Sequence, residues 1–313
     1  MSRIGPALHR LGPILVLLAI GCVIPTHVPI SEGAPRQHRI LGVPFFSQVR
    51  SQCGPAALAM ALSYAGTWTE PDAISEQVFT EARGGSFQFD VVGAARRRAH
   101  VPFPIQDWDH LLDEVVADRP VVVLQNLGLF WYPVWHFAVL IGFDLDASSV
   151  TLHSGRERAR TIALATFART WRRGSNWGRV ILPPGELPTR ISVEAALDAI
   201  QSFERTEQWE AAARSYIAVT ERWPGSAPAQ FALGNALYRA GDSRSSAAAF
   251  EAALRIEPSF MPALNNLAHV LAESGEKARA LELLEVHRDR PGPWRDSILR
   301  TLEQIAEPDT ADP

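Results

Sequence analysis

Val43-Pro44-Phe45-Phe46-Ser47-Gln48-Val49-Arg50-Ser51-Gln52-Cys53-Gly54-Pro55-Ala56-Ala57-Leu58-Ala59-Met60 runs from a mixed loop straight into an apolar segment. Proline suits the first turn of a helix, so Pro55 sets the helix start beside Cys53. Gly54 leaves room for a close neighbour. A thiol at a helix N-terminus feels the positive end of the backbone dipoles, which predicts a lowered pKa and a reactive thiolate at Cys53. Gln48 lies five residues upstream. Folded back in the loop, its side-chain amide can donate to the oxyanion that forms when a thiolate attacks a carbonyl.

The chain holds two cysteines, Cys22 and Cys53. Cys22 closes a targeting segment: Arg3, His9 and Arg10 form a basic start, and residues 11–20 (LGPILVLLAI) form an apolar run too short to span a bilayer comfortably. Ala19-Ile20-Gly21-Cys22 resembles a bacterial lipobox, whose cysteine receives the lipid. A plain signal peptide or an uncleaved anchor are the other readings, and all three put residues 23–313 outside the cytoplasm. Val23 and Ile24 carry no acidic retention signal, which points to the periplasmic face of the outer membrane. With Cys22 acylated or removed, Cys53 is a solitary thiol in an oxidising compartment, either buried or used.

A base for that thiol has to come from elsewhere in the chain, because a Cys–His pair is adjacent in space rather than in sequence. His136 heads the apolar run His136-Phe137-Ala138-Val139-Leu140-Ile141-Gly142-Phe143. That puts an imidazole at the mouth of a dry strand. From Ile40 to Pro184, β-like runs (LGVPFF, PVVVLQN, HFAVLIGF, SVTLHS, GRVILPP) accompany helical stretches (GPAALAMALSYAG, DVVGAARRRA, WDHLLDEVVADR). One helix early and several strands late is an α+β arrangement. Arg96-Arg97-Arg98 reads as a solvated helix face, Gly84-Gly85 as a loop, and Phe130, Trp131, Tyr132, Pro133 and Trp135 as either core or an apolar wall of a cleft.

Gln48, the Gln52–Leu58 run, Pro120-Val121-Val122-Val123-Leu124 and His136–Leu140 with Gly142 together resemble the bacteriocin-processing cysteine peptidases that cut after a double glycine. More closely, the chain is similar to stand-alone exported members with a lipobox and a repeat tail. The likeness covers about residues 40–160 and implies a papain-like fold, with Cys53 as nucleophile, His136 as general base and Gln48 as oxyanion donor. Members of that family have an Asp-Pro pair after the hairpin that follows the histidine. Here the place reads Val150-Thr151-Leu152-His153-Ser154-Gly155, without a carboxylate. His153, Ser154 or Asn126 is left to orient His136, while Asp144 and Asp146 lie at the wrong end of the strand.

The second half repeats every 34 residues: Ala195, Ala229 and Ala263 fall in register, as do Ala213 and Ala247, Tyr216 and Phe250, Pro224 and Pro258, and Gly241 and Gly275. Small residues let paired helices approach, glycine permits the turn between them and proline ends the pair. The pattern resembles tetratricopeptide repeats, in about three units over residues 192–292, the first with Glu207 where glycine stands later. The expected plan is a leader with lipobox over 1–22, a tether over 23–39 and an α+β papain-like peptidase domain over 40–184. A linker over 185–191, an all-α repeat domain and a tail over 293–313 follow.

A net charge of −4 gives no basic bulk for nucleic acid, and no Cys/His cluster suggests a metal, so no cofactor is expected. The partners expected are a peptide or protein substrate, a protein bound by the repeats and a membrane reached through the lipid. The leading function is an exported cysteine peptidase. The alternatives are a catalytically weakened binding module acting through its repeats, and an amidase or acyltransferase using the same thiolate.

Overall fold

The computed structural model describes residues 35–47, 52–80 and 85–306. Cys22, Gln48 and Gly84 lie outside the described residues. The first half is built on a seven-stranded sheet. Its strands are β1 (Gln37–Arg39), β4 (Val101–Pro104), β5 (Val121–Asn126), β6 (Trp135–Asp144), β7 (Ser149–Ser154), β8 (Glu157–Ala163) and β9 (Gly178–Leu182), in the order β4-β9-β5-β6-β7-β8, with β1 also on β6. All the pairings are antiparallel. A two-stranded hairpin, β2 (Phe79–Thr80) with β3 (Gly85–Ser86), stands apart.

β5 is buried throughout and β6 from Phe137 to Phe143, which explains their unbroken apolar sequences. Helix α1 (Cys53–Tyr64) packs on β6, and α5 (Leu164–Arg173) packs on β5. The remaining helices of this half are α2 (Asp72–Val78), α3 (Gln88–Arg97) and α4 (Trp108–Val116). LGVPFF, expected as a strand, lies outside any ladder. The strand instead is Gln37–Arg39, at the end of the expected tether. Pro44 and Gly42 explain the slip: proline has no N–H to give a ladder, and Gly42 turns the chain through a positive φ of 75°.

Seven helices follow: α6 (Val193–Glu204), α7 (Trp209–Arg222), α8 (Ala227–Arg239), α9 (Ser243–Ile256), α10 (Met261–Glu273), α11 (Lys277–Glu285) and α12 (Arg295–Ala306). Ser192, Ser226 and Asp242 cap α6, α8 and α9 by accepting from the N–H three residues on. Gly234 is required where α8 meets α9: an added Cβ would lie 2.5 Å from the Phe250 ring. The turns inside the three pairs all carry a left-handed residue, Glu207 (φ 55), Gly241 (φ 87) and Gly275 (φ 87). Only a tail was expected beyond the third pair. Ile298, Leu302 and Ile305 instead line one face of α12 and bury it against the last repeat.

The junction between the halves is a packed seam. One apolar cluster runs from the sheet into α6, α7 and α8. The expected linker has no regular structure but is strapped to α4. Buried Glu114 accepts from the backbone N–H and hydroxyl of Thr189, meets His110 Nε2 at 3.2 Å and lies 3.6 Å from Arg119. Arg119 and Arg222 donate to the carbonyls of Leu187, Pro188 and Thr189. Arg96-Arg97-Arg98 is not the solvated face expected. Arg97 is exposed, but Arg98 donates to Gln77 and to the Ala73 carbonyl, and the Arg96 carbonyl accepts from Gln208 across the seam.

Two consequences are measurable. Glu207→Gly relieves a left-handed side-chain residue and should raise stability by about 0.5 kcal/mol, read by chemical denaturation. Burial pushes the Glu114 carboxyl up, but hydrogen bonds from His110 and Thr189 and the Arg119 charge bring it below its ordinary value. Its stabilisation is therefore full above the unfolded pKa of about 4.3 and is lost as pH falls through the lower folded value. Glu114→Ala should cost about 3 kcal/mol at neutral pH and flatten that acid dependence; an unchanged denaturation midpoint would dismiss the strap.

Candidate active site

Cys53 is the first residue of α1, with Gln52 ahead of it and no side-chain cap on the helix. The open first turn leaves N–H groups unpaired within the helix, and those of Cys53 and Gly54 act on the sulfur. A third N–H reaching the sulfur belongs to Phe137 on β6. The thiol therefore sits one residue along the strand from His136. Gly54 permits this seating: a Cβ there would fall 2.3 Å from Ser86 Oγ and 3.2 Å from Val78 Cγ1, so any side chain would push the β2–β3 hairpin off α1.

His136 is fixed by Ser154, whose hydroxyl lies 2.9 Å from Nε2. With Nε2 bonded to Ser154, Nδ1 is the ring nitrogen left for another partner. The other two candidate orienters serve elsewhere. His153 has Nε2 3.2 Å from the Val43 carbonyl, and its Nδ1 accepts from Ala159 N–H. Asn126 accepts from the N–H groups of Gly128 and Val134 and shapes the loop before His136. Asp146 pairs with Arg36, remote from His136.

Electrostatics differ from the expectation for a helix-start thiol. Burial raises the Cys53 pKa, and the three N–H groups offset only part of that rise. Burial also lowers the His136 pKa to about 4, helped by the Arg160 charge. Both charged forms are disfavoured for one reason, desolvation without a carboxylate to compensate. At neutral pH the thiol and the imidazole therefore both rest uncharged. Arg160, on β8, is a contributor that the sequence did not single out; nothing in ERARTIA marks it. No group of three or more His, Cys, Asp or Glu among the described residues could hold a metal.

Phe130, Trp131 and Tyr132 on the loop before β6, and Trp135 at the start of β6, are not core: all four are exposed. No helix among the described residues is long and apolar enough to cross a membrane.

Residues 40–177 match the Peptidase C39 like family, and residues 197–258 and 231–293 match tetratricopeptide repeats. The chain joins a C39-like peptidase-fold domain to tetratricopeptide repeats. Parts of the chain are similar to solved structures. A Bacillus anthracis protein described as a C39-like peptidase aligns at 17% identity and a TM-score of 0.43, over 49% of this chain and 99% of its own. The peptidase domain of Streptococcus ComA, a bi-functional ABC transporter, aligns at 16% identity and 0.37, over 45% and 99%. The TPR2B domain of yeast Sti1 covers 36% of this chain and 94% of its own, at 21% identity and 0.34. No curated protein matches the chain.

The neutral pair in the C39-like domain has a direct signature. Alkylation of Cys53 by iodoacetamide should accelerate continuously from pH 5 through pH 9, the ordinary thiol value, without a plateau. A rate already level between about pH 5 and 7 would mean a thiolate–imidazolium pair and overturn the assignment.

Proposed function

We propose that the C39-like domain is an exported cysteine peptidase. The observation that carries the reading is the meeting of the Cys53 thiol with β6 beside His136, whose Nε2 is held by Ser154. In the proposed step, Nδ1 of His136 takes the thiol proton as Sγ of Cys53 attacks the peptide carbonyl carbon. The oxygen becomes an oxyanion that the N–H groups at the start of α1 face, with the Gln48 amide as a further donor. The C–N bond then breaks, His136 returns the proton to the leaving amine, and water releases the acyl group from sulfur. Ser154 is a positioning residue. Its hydroxyl oxygen accepts a hydrogen bond from Nε2–H and so keeps the lone pair on Nδ1.

A neutral pair still supports this chemistry, because a thiol needs less help than a hydroxyl. The same thiolate would serve amide or acyl transfer equally. The tetratricopeptide repeats would bind a protein, either the substrate or a docking partner. Lipidation at Cys22 and residence on the periplasmic face of the outer membrane belong to the same proposal. They rest on the leader sequence, outside the described residues. The absence of a carboxylate at His136 favours a second reading, in which the domain is a weakened peptidase fold and the repeats carry the function.

Hydrolysis of a fluorogenic peptide library separates these readings. Cys53→Ala should abolish turnover, His136→Ala should lower kcat/KM by about 10³ and Ser154→Ala by about fivefold. Turnover by the wild type that is indifferent to His136 would sink the peptidase proposal. No turnover, with a protein captured by the repeats, would favour the second reading.

A further inference from the structure

The loop between β5 and β6 is the largest stretch of exposed apolar side chains among the described residues. Leu127-Gly128-Leu129-Phe130-Trp131-Tyr132-Pro133-Val134-Trp135 contains no charged residue. Phe130, Trp131 and Tyr132 are 88%, 78% and 74% exposed, and Leu127, Leu129, Val134 and Trp135 are exposed as well. Soluble proteins rarely leave so much contiguous apolar surface in water without an occupant for it.

The loop is also built to stand out. It continues the β5–β6 ladder, with Leu127 N–H on the Val134 carbonyl at 2.8 Å and Leu129 N–H on the Tyr132 carbonyl at 3.0 Å. Asn126 ties its base through two N–H groups, and Arg173 donates to the Gly128 carbonyl. Gly128 is needed, since a Cβ there would lie 2.3 Å from the Tyr132 carbonyl oxygen. The result is a stiff hairpin tip whose three aromatic residues are open on nearly every side. A wall that grips a peptide would present one face and pack the other. A tip bare all round suits a surrounding medium.

Charge at its base matches a particular medium. Arg172 is exposed beside Arg173, and the β7–β8 turn at the same end of the sheet carries exposed Arg156 and Arg158. The acid between them, Glu157, is engaged by Arg160. Tryptophan and tyrosine favour the boundary between hydrocarbon and headgroups, and arginines just above them meet anionic headgroups.

We infer that Leu127–Trp135 is a membrane-docking finger: Phe130, Trp131 and Tyr132 enter the interface of an anionic bilayer while Arg156, Arg158, Arg172 and Arg173 contact its headgroups. Because His136 follows the finger directly, docking would hold the mouth of the Cys53 site against the lipid surface. The inference does not depend on peptide hydrolysis.

The test uses full-length Cys53→Ala protein with vesicles of phosphatidylglycerol and phosphatidylethanolamine, or of phosphatidylcholine alone. The parent and every variant also carry Cys22→Ser, so no acyl chain anchors them and differences between them report the finger. Phe130→Asp/Trp131→Asp should lower the fraction that floats with anionic vesicles about tenfold. Arg172→Glu should lower it about threefold on anionic vesicles only. Independently of the leader, acyl-brominated lipid should quench tryptophan fluorescence more in the parent than in Trp131→Phe, a change gentle enough to preserve the fold. Equal quenching in the two proteins overturns the proposal. So does flotation of the double variant at the parent level, including the case where the same change in the Cys53 protein impairs only peptide cleavage and marks the tip as a substrate wall.

Discussion

Helix α1 is buried from Gly54 to Leu62, and this burial governs the rest of the site. A helix enclosed on every side must find partners for the N–H groups of its first turn without water. Here they converge on the sulfur of its first residue, and the β6 backbone supplies one more at Phe137. Everything that seals the helix start also fixes the thiol: the missing side chain at Gly54, the hairpin pressed against it and the strand that carries His136. Moving any of these changes the geometry at Cys53.

The same burial has a chemical cost. Helix-start N–H groups lower a thiol pKa, but desolvation acts on the full charge of a thiolate and outweighs them. His136 meets the same penalty and has a hydroxyl beside it where an acid would have compensated. A serine can hold a tautomer but cannot balance an imidazolium. The arrangement disfavours a charge-separated resting state and keeps the thiol protonated, which slows its oxidation.

Much of this was legible in the chain because the relevant signals are local. Pro55 marked the start of α1, apolar runs marked β5 and β6, the β-like SVTLHS marked β7, and the 34-residue period marked the helix pairs. The left-handed Glu207 even sits at the position where the period demanded a glycine. What escaped was set by tertiary context. β8 reads as ERARTIA because it is the exposed edge of the sheet, so its apolar signal is weak. β4 reads as VPFP, and its prolines mask a strand paired on one side only. The role of Ser154 over His153 and Asn126 depended on a strand irregularity between Leu152 and Ser154 that no residue type announces. The sign of the Cys53 shift depended on how deeply α1 would sink.

The strap of Thr189 on Glu114 gives the molecule a property that neither half has alone. Domains joined by a slack linker present a captured chain to each other over a broad range of distances, and the effective concentration falls accordingly. Here Gln208, Arg222 and a continuous apolar cluster hold the first repeat against the sheet. A polypeptide gripped by the repeats would reach Cys53 from a fixed origin, so the number of residues between grip and thiol would be nearly constant. On the proposed function, such a device would measure length. It could select one bond in a substrate by its distance from a docking segment, with few demands on the residues flanking the bond.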